Sequence, residues 1–115
     1  MMISTLGMYS FKYNANDNDE VKTSYASYYH DKFNGKRTAS GEVFRTHAMT
    51  CASNTHKIGT KLLVTNRKTN KSVVVRVNDT GGFSKYGRTL DLSKGAFSKI
   101  AHLSQGTVNV TIKKL

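Results

Sequence analysis

The 115-residue sequence contains no proline, no tryptophan and a single cysteine, Cys51. One cysteine cannot form an intramolecular disulfide, so packing alone must stabilise the fold. The simplest interpretation of Cys51 is a small buried hydrophobic residue, because a catalytic thiol would need an activating histidine in a cleft. No apolar run approaches the roughly 20 residues of a membrane-spanning helix. The sequence therefore predicts one domain with one hydrophobic core and no membrane span.

Acidic residues are scarce: there are 7 against 18 Lys and Arg, which gives a net charge of +11. This excess favours an anionic partner such as nucleic acid, lipid headgroups or an acidic cell-wall polymer, although a basic surface that only keeps the protein soluble is an equal alternative. Residues 1–22 are polar and have the composition of a flexible leader, without the apolar segment of a secretory signal. The domain is therefore expected to span residues 23–115. Its few acids each need an explanation; they are Asp31, Glu42, Asp79 and Asp91.

Several motifs of catalysis and cofactor binding are missing, namely GxxxxGK[ST], GxGxxG, CxxC, HExxH and GxSxG. The 4 histidines form no i,i+4 pair and have no second cysteine to join, so neither a metal site nor a cofactor is predicted. Basic and aromatic residues alternate around residues 32–37, but they match no nucleic-acid-reading motif. No specific nucleic-acid partner is predicted.

Apolar periodicity predicts a mainly β fold. β-branched or alternating residues indicate strands at residues 24–29, 61–66, 72–78 and 107–113, with a polar hairpin loop at 67–71. Ser93 is a candidate N-cap, and the apolar residues from Ala96 to Leu103 have the spacing of a helix of about three turns. With five or six short strands, a small closed barrel is the economical way to remove exposed sheet edges.

Two of the acids flank a glycine turn. Asp79 follows an apolar strand, where partial desolvation would raise its pKa, and precedes Gly81, which would let a ligand approach the backbone. Asp91 precedes the candidate helix, whose dipole would favour its ionised form. Structural alternatives remain open for each acid: a turn-forming Asp79, an Asp91 that enters the helix or pairs with an arginine (Arg76 or Arg88), and a Glu42 in a loop salt bridge.

Seven short segments occur in the order and spacing of one family. They are ASYY at 26–29, NGKRTASGE at 34–42, AMT at 48–50, GT at 59–60, VTN at 64–66, SVVVRVND at 72–79 and DLS at 91–93. Through them the chain, from about residue 24 to its end, resembles the RlpA (rare lipoprotein A) family, which includes septal ring lytic transglycosylases. More distantly, the arrangement of acids is similar to the first domain of expansins. The resemblance implies a six-stranded double-psi β-barrel with one or two short helices and a glycan-binding groove.

The resemblance also implies roles for individual residues. Asp79 is the first choice for the catalytic acid that then serves as base, Asp91 would stabilise positive charge on the sugar or orient its partner, and Glu42 would contact the glycan or tune Asp79. The family's functional histidine, eleven residues after the glutamate, corresponds to Ser53, which would hold a hydrogen bond in place of that histidine or be a plain loop residue. Substrate contacts are expected from a set of groove residues: Tyr29, Thr38, Ser40, Ser53, Asn78, Gly81 and Arg88. Strand alternation allows at most one of Tyr28 and Tyr29 to stack on a sugar.

The leading functional hypothesis is a monomeric cell-wall protein of the envelope, periplasm or secreted fraction. It would bind peptidoglycan and cleave the β-1,4 bonds between MurNAc and GlcNAc as a lytic transglycosylase. The first alternative is a non-catalytic, expansin-like protein that binds or loosens the wall, since Ser53 replaces the histidine and the charge suits anionic wall polymers. The second is a basic secreted effector or nucleic-acid binder that uses the barrel only as a scaffold.

Overall fold

The structure is a computed structural model and describes residues 21–81 and 88–115, without the side chains of Arg88 and Thr89. Within these ranges the chain forms six strands and one α-helix. The elements are β1 (Val21–Tyr28), β2 (Thr50–Ser53), β3 (Lys61–Asn66), β4 (Ser72–Asp79), β5 (Arg88–Leu92), α1 (Lys94–Ile100) and β6 (Val108–Lys114). Two single-turn 3-10 helices lie at Asp31–Phe33 and Leu103–Gln105.

The strands close into a barrel in the order β1-β5-β2-β4-β3-β6, with β6 returning to β1. The pairs β1–β5 and β2–β4 are parallel, whereas the remaining pairs are antiparallel. A closed mixed barrel leaves no sheet edge unpaired, which suits a chain too short for a second covering layer. The expectation of a small six-stranded barrel with one helix is confirmed.

Alternating side chains from all six strands fill the barrel. The inward set includes Ala26, Leu62, Val75, Leu90 and Val110, each at most 1% exposed. Fully burying an aliphatic side chain of this size contributes about 1.5–3 kcal/mol, so this interior supplies most of the stabilisation. Cys51 belongs to the same core and is free, and burial raises the pKa of its thiol to about 12. Its interpretation as a small buried hydrophobic residue is confirmed.

The predicted strand bounds hold within a few residues for β1, β3, β4 and β6, and β3 joins β4 through the predicted hairpin loop. Sequence patterns did not delimit β2 and β5. All four residues of β2 are buried, so no apolar–polar alternation marks it. Residues 1–20 of the predicted leader lie outside the described ranges, whereas the last two leader residues, Val21 and Lys22, belong to β1.

The helix is shorter than predicted. Ser93 is its N-cap, as expected, and its Oγ accepts a hydrogen bond of 3.0 Å from the Ala96 amide. The helix ends at Ile100 because Ala101 is extended, with φ −161° and ψ 165°, and Leu103 continues the apolar spacing only within a separate 3-10 turn. The prediction of about three turns was therefore wrong, and seven residues form about two turns. No helix in the described part of the chain is long and apolar enough to cross a membrane.

Candidate functional site

The strand order brings the two aspartates together around one residue. In the parallel pair β2–β4, Ala52 is the register partner of Asp79, and in the antiparallel pair β2–β5 it is the partner of Asp91. Since neighbouring strands lie about 4.8 Å apart, the two aspartate backbones are separated by roughly 10 Å. The small side chain of Ala52 leaves space between them.

A groove of about 440 Å³ opens at this point. Its lining comprises Tyr28, Tyr29, His30, Phe33, Ala52, Asp79, Thr80, Gly81 and Asp91. The combination of aromatic rings with carboxylates is typical of carbohydrate sites, because sugar rings present apolar faces and hydroxyl edges.

Three donors fix the Asp79 carboxylate. Its Oδ1 accepts hydrogen bonds from the backbone amides of Ala39 and Thr80, both at 2.9 Å. Its Oδ2 accepts a hydrogen bond of 2.5 Å from the hydroxyl of Tyr29. The amide of Thr80 makes the local bond expected of a turn-forming aspartate, but the other two donors come from distant segments. Asp79 therefore makes the local bond of a turn-forming aspartate, and its two distant donors also orient its carboxylate toward the groove.

Tyr29 is held from two sides before it reaches Asp79. Its ring stacks on Phe44, with centroids 4.5 Å apart and planes 23° apart, and it meets Phe33 edge-on at 5.6 Å. Burial raises the pKa of Tyr29 strongly, and the hydrogen bond to Asp79 raises it further, so the hydroxyl stays protonated and donates. Tyr28 points toward the core instead, packs on Phe97 and donates to the Leu103 carbonyl at 2.8 Å.

Asp91 lies on the other side of Ala52. The hydroxyl of Ser27 on β1 donates a hydrogen bond to its Oδ1, because β1 and β5 run parallel with these two residues in register. One structural alternative for Asp91 was an ion pair with Arg76, but that arginine forms an ion pair with Glu42. The side chain of Arg88, the other predicted partner and a predicted substrate contact, lies outside the described side chains.

Glu42 forms a bidentate ion pair with Arg76, with N–O distances of 2.9 and 2.7 Å, and accepts a third hydrogen bond from Asn78 at 3.2 Å. The hydrogen bonds from Arg76 and Asn78 lower the pKa of Glu42 below its ordinary value. The glutamate is absent from the groove lining, so the geometry matches the loop salt bridge that the sequence left open. Asn78, a predicted substrate contact, is 2% exposed, and its amide group serves this loop.

The loop that carries Glu42 also carries Thr38 and Ser40. Their hydroxyls hydrogen-bond each other at 2.8 Å, and the Ser40 amide donates to the Asn78 carbonyl at 3.2 Å. Neither residue lines the groove. Ala39 lies between them, and its backbone amide donates a hydrogen bond to Asp79. This loop therefore helps to orient the candidate acid.

Ser53 terminates β2 and is 1% exposed. Its Oγ accepts hydrogen bonds from the backbone amides of Thr55 at 3.1 Å and His56 at 3.0 Å, so it closes the turn that follows the strand. Ser53 does not line the groove, although its neighbour Ala52 does. Ser53 therefore ends a strand rather than lying in a loop, and its hydroxyl supports the turn that follows.

Four groove residues were not singled out from the sequence: His30, Phe33, Ala52 and Thr80. His30 follows β1 and leads into the 3-10 turn of residues 31–33, which places Phe33 against Tyr29. Thr80 adjoins Asp79, so its position in the chain could have identified it. Among the described residues, no group of three or more histidine, cysteine, aspartate or glutamate side chains is arranged to hold a metal ion.

The fold and the groove describe a small barrel with a carboxylate site, and the sequence match identifies its family. A family model described as "Lytic transglycolase" matches residues 21–112, and the chain belongs to this family. Its relatives include the endolytic peptidoglycan transglycosylase RlpA of Haemophilus influenzae, 44% identical over 95 residues, which are 83% of this chain and 33% of the relative. The probable endolytic peptidoglycan transglycosylase RlpA of Synechocystis is 46% identical over 92 residues, which are 80% of this chain and 28% of that protein. The chain thus spans about a third of the length of these curated relatives.

Solved structures share the double-psi barrel. The Streptomyces papain inhibitor superposes with a TM-score of 0.68 at 23% identity, covering 84% of this chain and 94% of the inhibitor. A mutant Clavibacter michiganensis expansin in complex with cellohexaose gives a TM-score of 0.65 at 20% identity, covering 84% of this chain and 50% of the expansin. At these identities the likeness concerns the fold alone. The predicted six-stranded double-psi β-barrel and the resemblance to RlpA are both confirmed.

Proposed function

We propose that this domain binds a peptidoglycan strand in the groove and cleaves the β-1,4 bond between MurNAc and GlcNAc as a lytic transglycosylase. The observation that carries the proposal is the placement of Asp79 and Asp91 on either side of Ala52, in a groove walled by aromatic rings. The names of the RlpA relatives give the substrate class. Such a reaction belongs where peptidoglycan is found, in the cell envelope or outside the cell.

Asp79 is the proposed acid and base. Two backbone amides already occupy Oδ1, so a proton bound there would displace a donor, whereas Oδ2 has only the rotatable hydroxyl of Tyr29. Oδ2 is therefore the oxygen that carries the proton. It gives this proton to the glycosidic oxygen as the bond from that oxygen to C1 of MurNAc breaks.

The same oxygen then acts as base. The 6-hydroxyl of MurNAc forms a bond to C1 and passes its proton to Oδ2, which regenerates the acid. The products are a GlcNAc end with a free 4-hydroxyl and a 1,6-anhydro-MurNAc end, and no water is consumed. One carboxyl group therefore suffices for the proton transfers, unlike hydrolysis, which requires a second group to activate water or to attack the sugar.

Asp91 is proposed to act by its charge. From across Ala52 its carboxylate would stabilise the positive charge that develops at C1, while the Ser27 hydroxyl holds it in position. For Glu42 the ion pair with Arg76 supports a positioning role: the pair anchors the loop of residues 38–42, whose Ala39 amide orients Asp79. Glu42 would then affect the reaction without touching the sugar.

A specific observation favours a second function, wall binding without cleavage. Ser53 stands at the position of the family's histidine, and its hydroxyl is engaged by the Thr55 and His56 amides rather than facing the groove. A chain of net charge +11 would still adhere to an acidic wall. This alternative predicts salt-sensitive binding to sacculi and no new glycan ends.

The deciding experiment incubates the domain with intact sacculi and with glycan strands stripped of their peptides, and follows anhydro-muropeptides by mass spectrometry. Wild type is compared with Asp79→Asn, with Ser53→His and with Asp31→Asn as matched control, because Asp31 is an exposed acid paired with Lys94. The transglycosylase proposal predicts product from wild type and Asp31→Asn and at least about a hundredfold less from Asp79→Asn. Sacculus binding without product in wild type, at high protein concentration, supports the binding alternative instead. Product gained only by Ser53→His would show that the missing imidazole had abolished turnover.

A further inference from the structure

The aromatic rings that line the groove differ in how much of each ring a ligand can reach. Tyr28 packs on Phe97 with ring centroids 4.8 Å apart, and Tyr29 stacks on Phe44 with centroids 4.5 Å apart. Each tyrosine ring therefore already lies against another ring, and both tyrosines are partly buried. Phe33, by contrast, is 37% exposed. Among the described lining residues, Phe33 is thus the ring that a ligand reaches most directly.

The Phe33 ring contacts Tyr29 and Lys32. The planes of Phe33 and Tyr29 are 89° apart at a centroid distance of 5.6 Å, so the edge of one ring meets the face of the other. Such a contact cannot cover both faces of Phe33. The ammonium of Lys32 lies 5.4 Å from the Phe33 centroid, but Lys32 is exposed, and a cation–π contact at an exposed site is weak. A ligand can therefore displace the lysine and pack on a face of the ring.

The backbone that carries Phe33 is held in place by hydrogen bonds. The Phe33 amide donates to the His30 carbonyl, and the Phe33 carbonyl accepts from the Lys36 amide, both at 3.1 Å. The Lys36 carbonyl in turn accepts from the Phe44 amide at 2.7 Å. The turn is thus tied to the residue on which Tyr29 stacks. A ring on a fixed backbone has less freedom to lose on binding, which favours a preformed binding surface.

Phe33 also lies close to the candidate acid, because one side chain links the two. The Tyr29 hydroxyl donates to Oδ2 of Asp79 at 2.5 Å, and the Tyr29 ring meets Phe33. A glycan whose reacting bond lies at Asp79 would therefore reach Phe33 with a sugar close to that bond.

We propose that Phe33 is the stacking platform of the groove and selects sugars with a flat apolar face. The inference rests on the proposed function for the class of ligand, a β-1,4 glycan, but not on cleavage. In such a glycan the ring substituents are equatorial, so axial C–H bonds make both faces of each sugar apolar. An aromatic face packs against these C–H groups and removes them from water. An α-1,4 glycan carries an axial oxygen at C1, which interrupts one face and bends the chain.

Fluorescence tests the platform directly, because the 115-residue chain contains no tryptophan and Phe33→Trp introduces a single reporter. The emission is followed while chitotetraose, a soluble β-1,4 oligomer of GlcNAc, is added. We expect a saturable shift to shorter wavelength, since stacking removes the indole from water, and little change with maltotetraose, the α-1,4 control. Tyr25→Trp is the matched variant and should not respond, because Tyr25 is 45% exposed but does not line the groove. No response of Phe33→Trp, or equal responses of both variants, would overturn the proposal.

A role of Phe33 as a support for the Tyr29 ring alone predicts different results. Phe33→Leu keeps an apolar contact for Tyr29 but removes the aromatic face. Its retention on sacculi at high salt, where charge attraction is screened, should fall by about fivefold to tenfold. Tyr25→Leu should change retention by less than about twofold. Unchanged retention of Phe33→Leu together with reduced product release would assign the ring to support alone and contradict the proposal.

A double variant separates this inference from the cleavage proposed for the groove. Phe33→Trp combined with Asp79→Asn should keep the chitotetraose response, because the acid is not part of the stacking surface, while product release is lost. A chitotetraose response of Phe33→Trp without product from the wild type means that the platform exists and the cleavage proposal fails. Product from the wild type without a response of Phe33→Trp means that cleavage occurs and the platform proposal fails.

Discussion

The hydroxyl of Tyr29 donates a hydrogen bond of 2.5 Å to Oδ2 of Asp79, fifty residues further along the chain. The ring that carries this hydroxyl is fixed by stacking on Phe44 and by the edge contact with Phe33. The orientation of the candidate acid thus depends on an aromatic cluster outside the barrel interior. This contact supports a positioning role for Tyr29, and because the residue also lines the groove, its direct contact with sugar stays a prediction.

Tyr29→Phe should keep the ring stack and remove only the hydroxyl. We expect anhydro-muropeptide release to fall about tenfold, which corresponds to about 1.4 kcal/mol in the barrier, while sacculus binding changes by less than about twofold. The free energy of unfolding should fall by about 1 kcal/mol, the usual value for one hydrogen bond. Product release, pull-down and urea denaturation measure the three quantities.

Tyr28→Phe is the matched control. It removes the hydroxyl of another residue that lines the groove, but that hydroxyl donates to the Leu103 carbonyl and not to Asp79. It should lose similar stability and retain activity. If the two variants lose activity equally, the Tyr29 hydroxyl has no special relation to the acid.

The barrel could be predicted from the sequence because most of its strands show a recognisable pattern of apolar residues. Alternation in Thr107 to Lys113 and the β-branched run of Val73 to Val75 follow directly from burying one face of a strand. The strand β2 carries no such signal, since all four of its residues are buried. Its location between β4 and β5, which brings Asp79 and Asp91 together, is a consequence of long-range pairing that no local pattern contains.

Ser53→Ala should destabilise the fold. The variant leaves the Thr55 and His56 amides without their buried acceptor, which costs about 1–3 kcal/mol. Ser40→Ala is the control, because Ser40 also accepts from a backbone amide, that of Glu42, but is exposed, so water can replace it. Urea denaturation should show the larger loss for Ser53→Ala, and equal losses would mean that the turn after β2 does not depend on this hydroxyl.

The ion pair of Glu42 with Arg76 predicts a pH dependence of stability. Because the folded protein holds the Glu42 pKa below its ordinary value of about 4.3, the pair stabilises the fold above that pH. This contribution disappears as the pH falls through the lowered pKa. Both side chains are about 40% exposed, so solvent screening limits it to less than about 1 kcal/mol.

Glu42→Gln removes the negative charge of the ion pair and so measures the contribution of the pair to stability. Its urea midpoint should lie below that of the wild type at pH 6, and the two midpoints should converge as the pH is lowered toward 3. Asp31→Asn removes the exposed partner of Lys94. The change in its urea midpoint between pH 6 and pH 3 should be close to that of the wild type. A wild-type advantage that persists unchanged at pH 3 would contradict the assignment.

The site was partly accessible from the sequence for a different reason. In a domain with few acids, each one stood out, and the family resemblance selected Glu42, Asp79 and Asp91 among them. The resemblance could not reveal that Glu42 pairs with Arg76 and does not line the groove. That contact joins two side chains 34 residues apart in the sequence, so it follows only from the folded structure. His30 gave no signal, since a single histidine after a strand is compatible with many environments.

Gly95→Ala should destabilise the protein although alanine is the better helix former. A Cβ on Gly95 would lie 2.9 Å from Cα and 3.1 Å from the carbonyl oxygen of His47, and backbone atoms cannot rotate aside. The Gly95 amide also donates to the Thr46 carbonyl at 2.9 Å, so the helix start is tied to this segment. We expect the clash to outweigh the propensity gain of about 1 kcal/mol and to give a net loss of about 1–3 kcal/mol. Ser98→Ala, on the exposed face of the same helix, is the control and should stay within about 0.5 kcal/mol of the wild type. Thermal or urea unfolding measures both variants. If Gly95→Ala is the more stable of the two, the helix can move away from residues 46–48.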